Sequence, residues 1–262
     1  MKYMIMDCHV HITFKKSNVK NSPNMEIAKL IATMEKLGMD KACLVPFPET
    51  YGRFFSWTEE DSYNLAEFLA DVSLQYSDKF HTLLWINPLL PIAVNKEIIE
   101  KHIINGPLDG VKLHIQMNAR DKRMEPLADI LQAYNIPLLF HAWYKTVQKC
   151  QYESDPSDIA DLAKRFPKLR ILMAHLSGCG KRGVQDIKRH ENILIDTSGS
   201  QPEDGLLEYA ANQLGEDRVV FGSDYPGRDM GTQLGRIFSI DISDDAREKI
   251  LYKNAVCFLK KG

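Results

Sequence analysis

No stretch of this sequence approaches the ~20 consecutive apolar residues of a membrane-spanning helix, so no membrane association is expected. The N-terminus does not combine a basic region, a long apolar core and a small-residue cleavage site, and no signal peptide is expected. Cysteine is sparse. Cys8, Cys43, Cys150, Cys179 and Cys257 are odd in number, widely spaced and without C-x-x-C pairs. That argues against a disulfide framework and for reduced thiols in a cytoplasmic protein. An excess of one charge is also missing: 33 Lys and Arg against 35 Asp and Glu give a formal net charge of -2. Nothing in that balance attracts nucleic acid, and the pairs Lys15-Lys16 and Lys260-Lys261 are too short to change it. No glycine-rich dinucleotide fingerprint follows an apolar run, and there is no Pro/Gly/Ser-rich linker or low-complexity segment. One domain over residues 1–262 is expected, large enough to bury a single core.

What the sequence does have is alternation. Short apolar runs at Tyr3–Cys8, Lys41–Phe47, His81–Asn87, Gly110–His114, Pro137–His141, Arg170–His175, Ile193–Thr197 and Arg218–Gly222 read as strands. Helical periods separate them, near Met25–Leu37, Glu59–Tyr76, Val94–Ile104, Pro126–Tyr134, Asp158–Phe166, Val184–His190, Pro202–Leu214 and Gly231–Ser239. An amphipathic segment, Asp244–Leu259, follows. Gly38 is placed as a helix C-cap, Ser157 and Ser243 as N-caps, and Pro46-Phe47-Pro48 and Asn87-Pro88 as loop signals after strands. Eight βα units in a chain of this length predict a closed (β/α)8 TIM barrel, with any chemistry at the C-terminal ends of the strands.

The polar residues fall at those ends. Asp7-Cys8-His9-Val10-His11 closes the first run, and strand alternation puts His9 and His11 on one face, with Cys8 opposite as a core thiol. Lys112 and His114, His141, His175 and Asp224 close the fourth, fifth, sixth and eighth runs. Of eight histidines, only His81, His102 and His190 lie elsewhere. Several imidazoles and a carboxylate on one rim are a candidate metal site, since neutral His is a common nitrogen ligand. Any one of them taken singly also reads as a hydrogen-bonded rim residue.

The set resembles the amidohydrolase superfamily, in the amidohydrolase-related branch that includes aminocarboxymuconate semialdehyde decarboxylase. The resemblance spans the chain and rests on the H-x-H of His9 and His11, Gly110-Val111-Lys112-Leu113-His114, Phe140-His141, Ala174-His175-Leu176-Ser177-Gly178, Phe221-Gly222-Ser223-Asp224-Tyr225-Pro226 and Asn254-Ala255. It implies that His9, His11, His141 and Asp224 bind Zn²⁺, or alternatively Mn²⁺, Fe²⁺ or Co²⁺, leaving a position for water. It also implies that Asp224 accepts a proton from that water and that His175 is a catalytic or electrostatic partner, a further ligand, or structural. One ion is favoured, with two if Lys112 is carbamylated, which needs a neutral amine. Otherwise Lys112 or His114 faces the substrate.

Asp7 reads either as an acceptor for the second ring N–H of a ligand histidine or as a barrel-bottom ion pair. Ser177 and Ser223 read as loop caps. Trp57, Trp143, Tyr144, Tyr225, Arg53 and Arg228 decorate the rim loops. Trp143 is read as a pocket wall or as loop packing, and Arg228 as a clamp for an anionic substrate group or as a surface charge. Segment 47–57 has the length of a lid or of a subunit contact, which leaves a homo-oligomer open. The expected activity is attack of metal-activated water on a carbonyl of a small amide, lactam or lactone. The alternatives are non-oxidative decarboxylation of a small unsaturated or aromatic acid, and a non-catalytic metal-binding barrel.

Overall fold

The structure, a computed structural model, describes residues 3–14, 24–48, 55–145, 147, 149–201 and 203–260. Eight parallel strands run in sequence order, each paired with the next: β1 (Met6–Phe14), β2 (Lys41–Pro48), β3 (Phe80–Trp85), β4 (Gly110–Leu113), β5 (Leu138–Phe140), β6 (Ile171–Met173), β7 (Ile193–Asp196) and β8 (Val219–Val220). Beyond β8 the chain stays extended and returns to β1. Cys8 N–H donates to the Phe221 carbonyl at 2.9 Å, Asp224 N–H to the His9 carbonyl at 2.8 Å and His11 N–H to the Tyr225 carbonyl at 2.6 Å. Those bonds close the ring, and the fold is the (β/α)8 barrel that the alternation predicts.

The helices are α1 (Asn24–Leu37), α2 (Glu59–Gln75), α3 (Ile92–Ile99), α4 (Glu125–Ala133), α5 (Pro156–Arg165), α6 (Leu176–Ile187), α7 (Leu206–Leu214), α8 (Met230–Ser239), α9 (Asp244–Glu248) and α10 (Asn254–Leu259). π-helical turns continue α3 through Ile104 and join α9 to α10. Caps account for several boundaries. Gly38 turns at φ 65° after α1, where a left-handed residue suits glycine. Ser243 accepts the Ala246 N–H at the start of α9, as predicted. Ser157, by contrast, is inside α5, because Asp155 takes the cap and forms a box with Asp158. α6 begins eight residues earlier than its apolar period suggests (Leu176 rather than Val184), since a break at Gly180 hides the first turn.

Two departures from the sequence reading shape the rim. Pro46 and Pro48 lie within β2 rather than after it. The β2–β3 ladder ends at Leu44, so the upper part of β2 needs donors toward β1 only. β1 is longer than expected and is bulged. Its partner register jumps from Asp7 opposite Ala42 to Val10 opposite Leu44, three steps against two. Strict alternation therefore fails between Asp7 and Val10. Cys8 packs with Cys43, Val45, Leu83, Leu139 and Leu172 in a layer of buried side chains closed by Ala255, Phe258 and Leu259 of α10.

Candidate metal centre

The bulge aims His9 and His11 at each other: their Nε2 atoms are 3.1 Å apart. Each ring is held from behind. His9 donates its Nδ1–H to Asp196 Oδ2 at 2.7 Å, and His11 donates to the Val45 carbonyl at 3.1 Å. His175 donates its Nδ1–H to Ser198 Oγ at 2.8 Å. The Ser198 hydroxyl in turn donates to Asp196 Oδ1 at 2.5 Å, which leaves its oxygen to accept. His141 is held the other way round, donating its Nε2–H to Glu153 Oε1 at 2.7 Å. A neutral imidazole has one donor and one acceptor nitrogen. Three rings thus turn an unprotonated Nε2 inward, while His141 turns an unprotonated Nδ1 to within 3.1 Å of His175 Nε2.

Lone pairs at such distances repel, and Asp224 adds negative charge. Its Oδ1 lies 3.1 Å from His11 Nε2 and 3.9 Å from His9 Nε2. His9, His175 and Asp224 each offer an atom within 4.8 Å of the others. His11 joins this group through its contacts with His9 and Asp224, and His141 joins it through His175. An inward ring of acceptors with every outward proton engaged fits a divalent cation, by donor chemistry as well as by spacing. Lys112 places a cationic side chain against this ring. It is fully buried, with Nζ 3.5 Å from His9 Nε2.

Electrostatics follow from burial. Desolvation, aided by the Lys112 charge, pushes the His9 imidazole down to about 4, and burial carries His175 and His114 well below the usual range. Burial lowers the Lys112 ammonium to about 8, against the pull of Asp196 and Asp224. Burial would raise the Asp196 carboxyl, but the His9 imidazole and the Ser198 hydroxyl, both donating to it, hold it well below the usual carboxylate range. At neutral pH His9, His114 and His175 are neutral and Asp196 is ionised. Backbone strain is concentrated here too. His175 (φ 72°) and Asp224 (φ 64°) are left-handed non-glycine residues, a geometry costing about 1–3 kcal/mol each. The His175 N–H donates to Asp196 Oδ1 at 2.9 Å, which helps to fix that conformation.

The site opens into a cavity of about 750 Å³, whose lining includes Lys112, His114, His141, Trp143, His175, Asp224 and Arg228. Trp143 is both wall and packing: its ring is 5.1 Å from that of His175, and a methyl group on Gly178 would come within 2.6 Å of it. Phe47 stands edge-on to His11 and His114. Arg228 lines the mouth and donates to the Gly227 carbonyl at 2.7 Å. Trp57 is core, packed between Phe14 and Trp85, and the Tyr144 hydroxyl bonds Asp186. Arg53 and much of segment 47–57 lie outside the described residues.

Two expectations need correction. Among the described residues, Asp7 neither accepts a ring N–H nor forms an ion pair. Its Oδ1 accepts the backbone N–H groups of His9 (3.0 Å) and Ser223 (2.9 Å), tying the bulge to the chain beyond β8. Cys8 is core, as expected, in one buried layer with Met6 and Cys43. Ser177 accepts from Arg236 instead of capping a loop, whereas Ser223 does cap, accepting the Tyr225 N–H. The residues overlooked in the sequence are Asp196, Ser198 and Glu153. Asp196 had a readable signal, a lone carboxylate ending the apolar run Ile193-Leu194-Ile195.

Comparison with known proteins extends the picture. A family model described as Amidohydrolase matches residues 6–261. No curated protein matches the sequence. Among solved structures, the chain is similar to 5-carboxyvanillate decarboxylase from Sphingomonas paucimobilis (16% identity, TM-score 0.77, all of both chains covered). It is also similar to 2,6-dihydroxybenzoate decarboxylase from Rhizobium (14% identity, TM-score 0.76, 98% of each chain). A third is 5-carboxyvanillate decarboxylase from Novosphingobium aromaticivorans, complexed with manganese and a nitrobenzoic acid (15% identity, TM-score 0.77, 98% of this chain and 96% of that one).

Proposed function

This chain belongs to the amidohydrolase family, and on that premise we propose that it is a metal-dependent, non-oxidative decarboxylase of a small aromatic or unsaturated carboxylic acid, with the whole chain acting as one domain. The observation that carries this reading is the charge of the cavity. Among its described lining residues, Lys112, Lys145 and Arg228 are cationic, and Asp224 alone is acidic. Even with Lys145 balanced by Glu153 behind it, at 2.8 Å, the wall stays positive. Such a wall suits a carboxylate substrate and gives no advantage with a neutral amide or lactone. Phe47 and Trp143 supply flat apolar surfaces for a ring, and the similar structures named for decarboxylation point to the same substrate class.

His9, His11, His141 and Asp224 are the residues that would hold the ion, Zn²⁺ or Mn²⁺, with His175 beside them and Lys112 as a second-ion bridge only if carbamylated. The bound ion supplies Lewis-acid stabilisation for the negative charge of the substrate. The protein does the rest. Arg228 and Lys112 orient the acid, while Phe47 and Trp143 hold the ring and exclude water. Asp224 and His175 are both in their base forms at neutral pH. Either can take a proton from water or from the substrate acid and deliver it to the carbon from which CO2 departs. The balance is one carboxylate and one proton in, one C–H bond and one CO2 out.

The test is CO2 release from a panel of hydroxybenzoates and unsaturated diacids, run beside amides, lactams and lactones. Turnover among the acids, with none across the amide and lactone arm, is the expected result. Hydrolysis of an amide or lactone with no CO2 from any acid would replace this reading with the hydrolase one.

A further inference from the structure

Glu153 sits between β5 and α5 in a segment with no periodic pattern, yet its side chain is fully buried. Its Oε1 accepts from His141 Nε2 at 2.7 Å and from Lys145 Nζ at 2.8 Å, and its Oε2 accepts the Cys150 N–H at 3.2 Å. We propose that Glu153 is a positioning residue, holding His141 in the tautomer that carries its proton on Nε2 so that Nδ1 faces His175 and the interior of the site.

The argument rests on hydrogen-bond capacity. An ionised carboxylate only accepts, so a neutral imidazole bonded to it must donate from the touching nitrogen. Lys145, lying along the Trp143 ring at 5.6 Å from its centre, donates to the same oxygen and keeps the carboxylate in place. The main chain of His141 is fixed by its N–H bond to the Leu113 carbonyl, but that bond does not decide which ring nitrogen points inward. His9, His11 and His175 are each anchored through Nδ1 and present Nε2. His141 is anchored through Nε2, and Glu153 is its anchor. Without an acceptor there, the proton can move to Nδ1 and close the inward lone pair. Outer partners of this kind tune metal affinity by about 10- to 100-fold.

The inference rests on the metal reading only in taking Nδ1 as a ligand atom, and it can be tested without any substrate. In metal-free protein labelled with 15N-histidine, long-range proton–nitrogen correlation at His141 should show a protonated Nε2 and an unprotonated Nδ1. A protonated Nδ1 in the native protein overturns the proposal outright, whatever the variants do. Glu153→Leu should give mixed tautomer signals and bind Mn²⁺ about 10- to 100-fold more weakly, whereas Glu153→Gln, which keeps an acceptor oxygen, should restore the tautomer and most of the affinity. If Glu153→Leu folds, keeps the native tautomer and binds Mn²⁺ within twofold of wild type, Glu153 is only structural. Failure of the decarboxylase reading would appear separately, as absence of CO2 with the tautomer result intact.

Discussion

At the lower end of the barrel Met6, Cys43, Leu83, Leu139, Leu172 and Val220 fill the interior, and two to four residues further along four of these chain segments stand His9, His141, His175 and Asp224. Both layers are buried. In the lower one, side chains are held by packing alone and α10 seals the end with Phe258 and Leu259. In the upper one, each ring of His9, His11, His141 and His175 is anchored by a hydrogen bond from its outer nitrogen, two residues sit in left-handed conformations, and β1 is bulged. The lower layer supplies stability that the upper layer consumes in strain and desolvation. Substitutions should therefore separate cleanly: lower-layer changes should move stability and leave ion binding alone, and upper-layer changes should do the reverse.

The largest expected effect is at Asp224. Asp224→Asn should lower turnover by about 100- to 10,000-fold with a melting temperature near or above that of wild type, because it removes a proton acceptor rather than packing. Steady-state kinetics beside calorimetry checks this. An inactive variant that also melts far earlier would erase the distinction between the layers. In the lower layer, Leu139→Ala should destabilise by about 2–5 kcal/mol in a urea titration while the Mn²⁺ stoichiometry stays unchanged.

Acidification offers a subtler separation. Burial depresses the His9 imidazole to about 4, and burial also lowers His114, His141 and His175. Between about pH 6.5 and 4 the unfolded chain takes up protons that the folded one refuses, so metal-free protein should lose stability as pH falls through that window. The depressed carboxyl of Asp196 adds a further loss below about pH 4. Urea midpoints between pH 7 and 4.5 would show the slope. Leu139→Ala should shift the whole curve and keep its slope, whereas His9→Ala should flatten it. The smallest effect is at Gly178, where an added methyl group meets the Trp143 ring at 2.6 Å. Gly178→Ala should cost about 1–3 kcal/mol and raise KM more than it lowers kcat, because the cavity wall moves and the ligands do not.

Much of this was legible in the sequence. The eight βα units were visible because apolar period and length distinguish strands from helices, and His9, His11, His141, His175 and Asp224 stood out because each ends or follows an apolar run. What was not legible follows from non-local chemistry. The bulge at Cys8–His9 is set by the return of residues 221–225 to β1, a closure with no local signature. Glu153 lies in an irregular loop, and its task exists only once that loop meets His141. Asp196 was readable by the rule that found the histidines. The start of α6 was hidden by Gly180, whose φ of 62° interrupts the helix that the period would otherwise have extended.

The central claim is that the upper layer is a ring of inward lone pairs held open for one divalent ion. Elemental analysis of the purified protein, with intact mass recorded on the same sample, tests it most directly. The account predicts about one ion per chain in wild type, none in His9→Ala or His141→Ala, and a Lys112 peptide without a CO2 adduct. Wild-type metal content in both variants would contradict it.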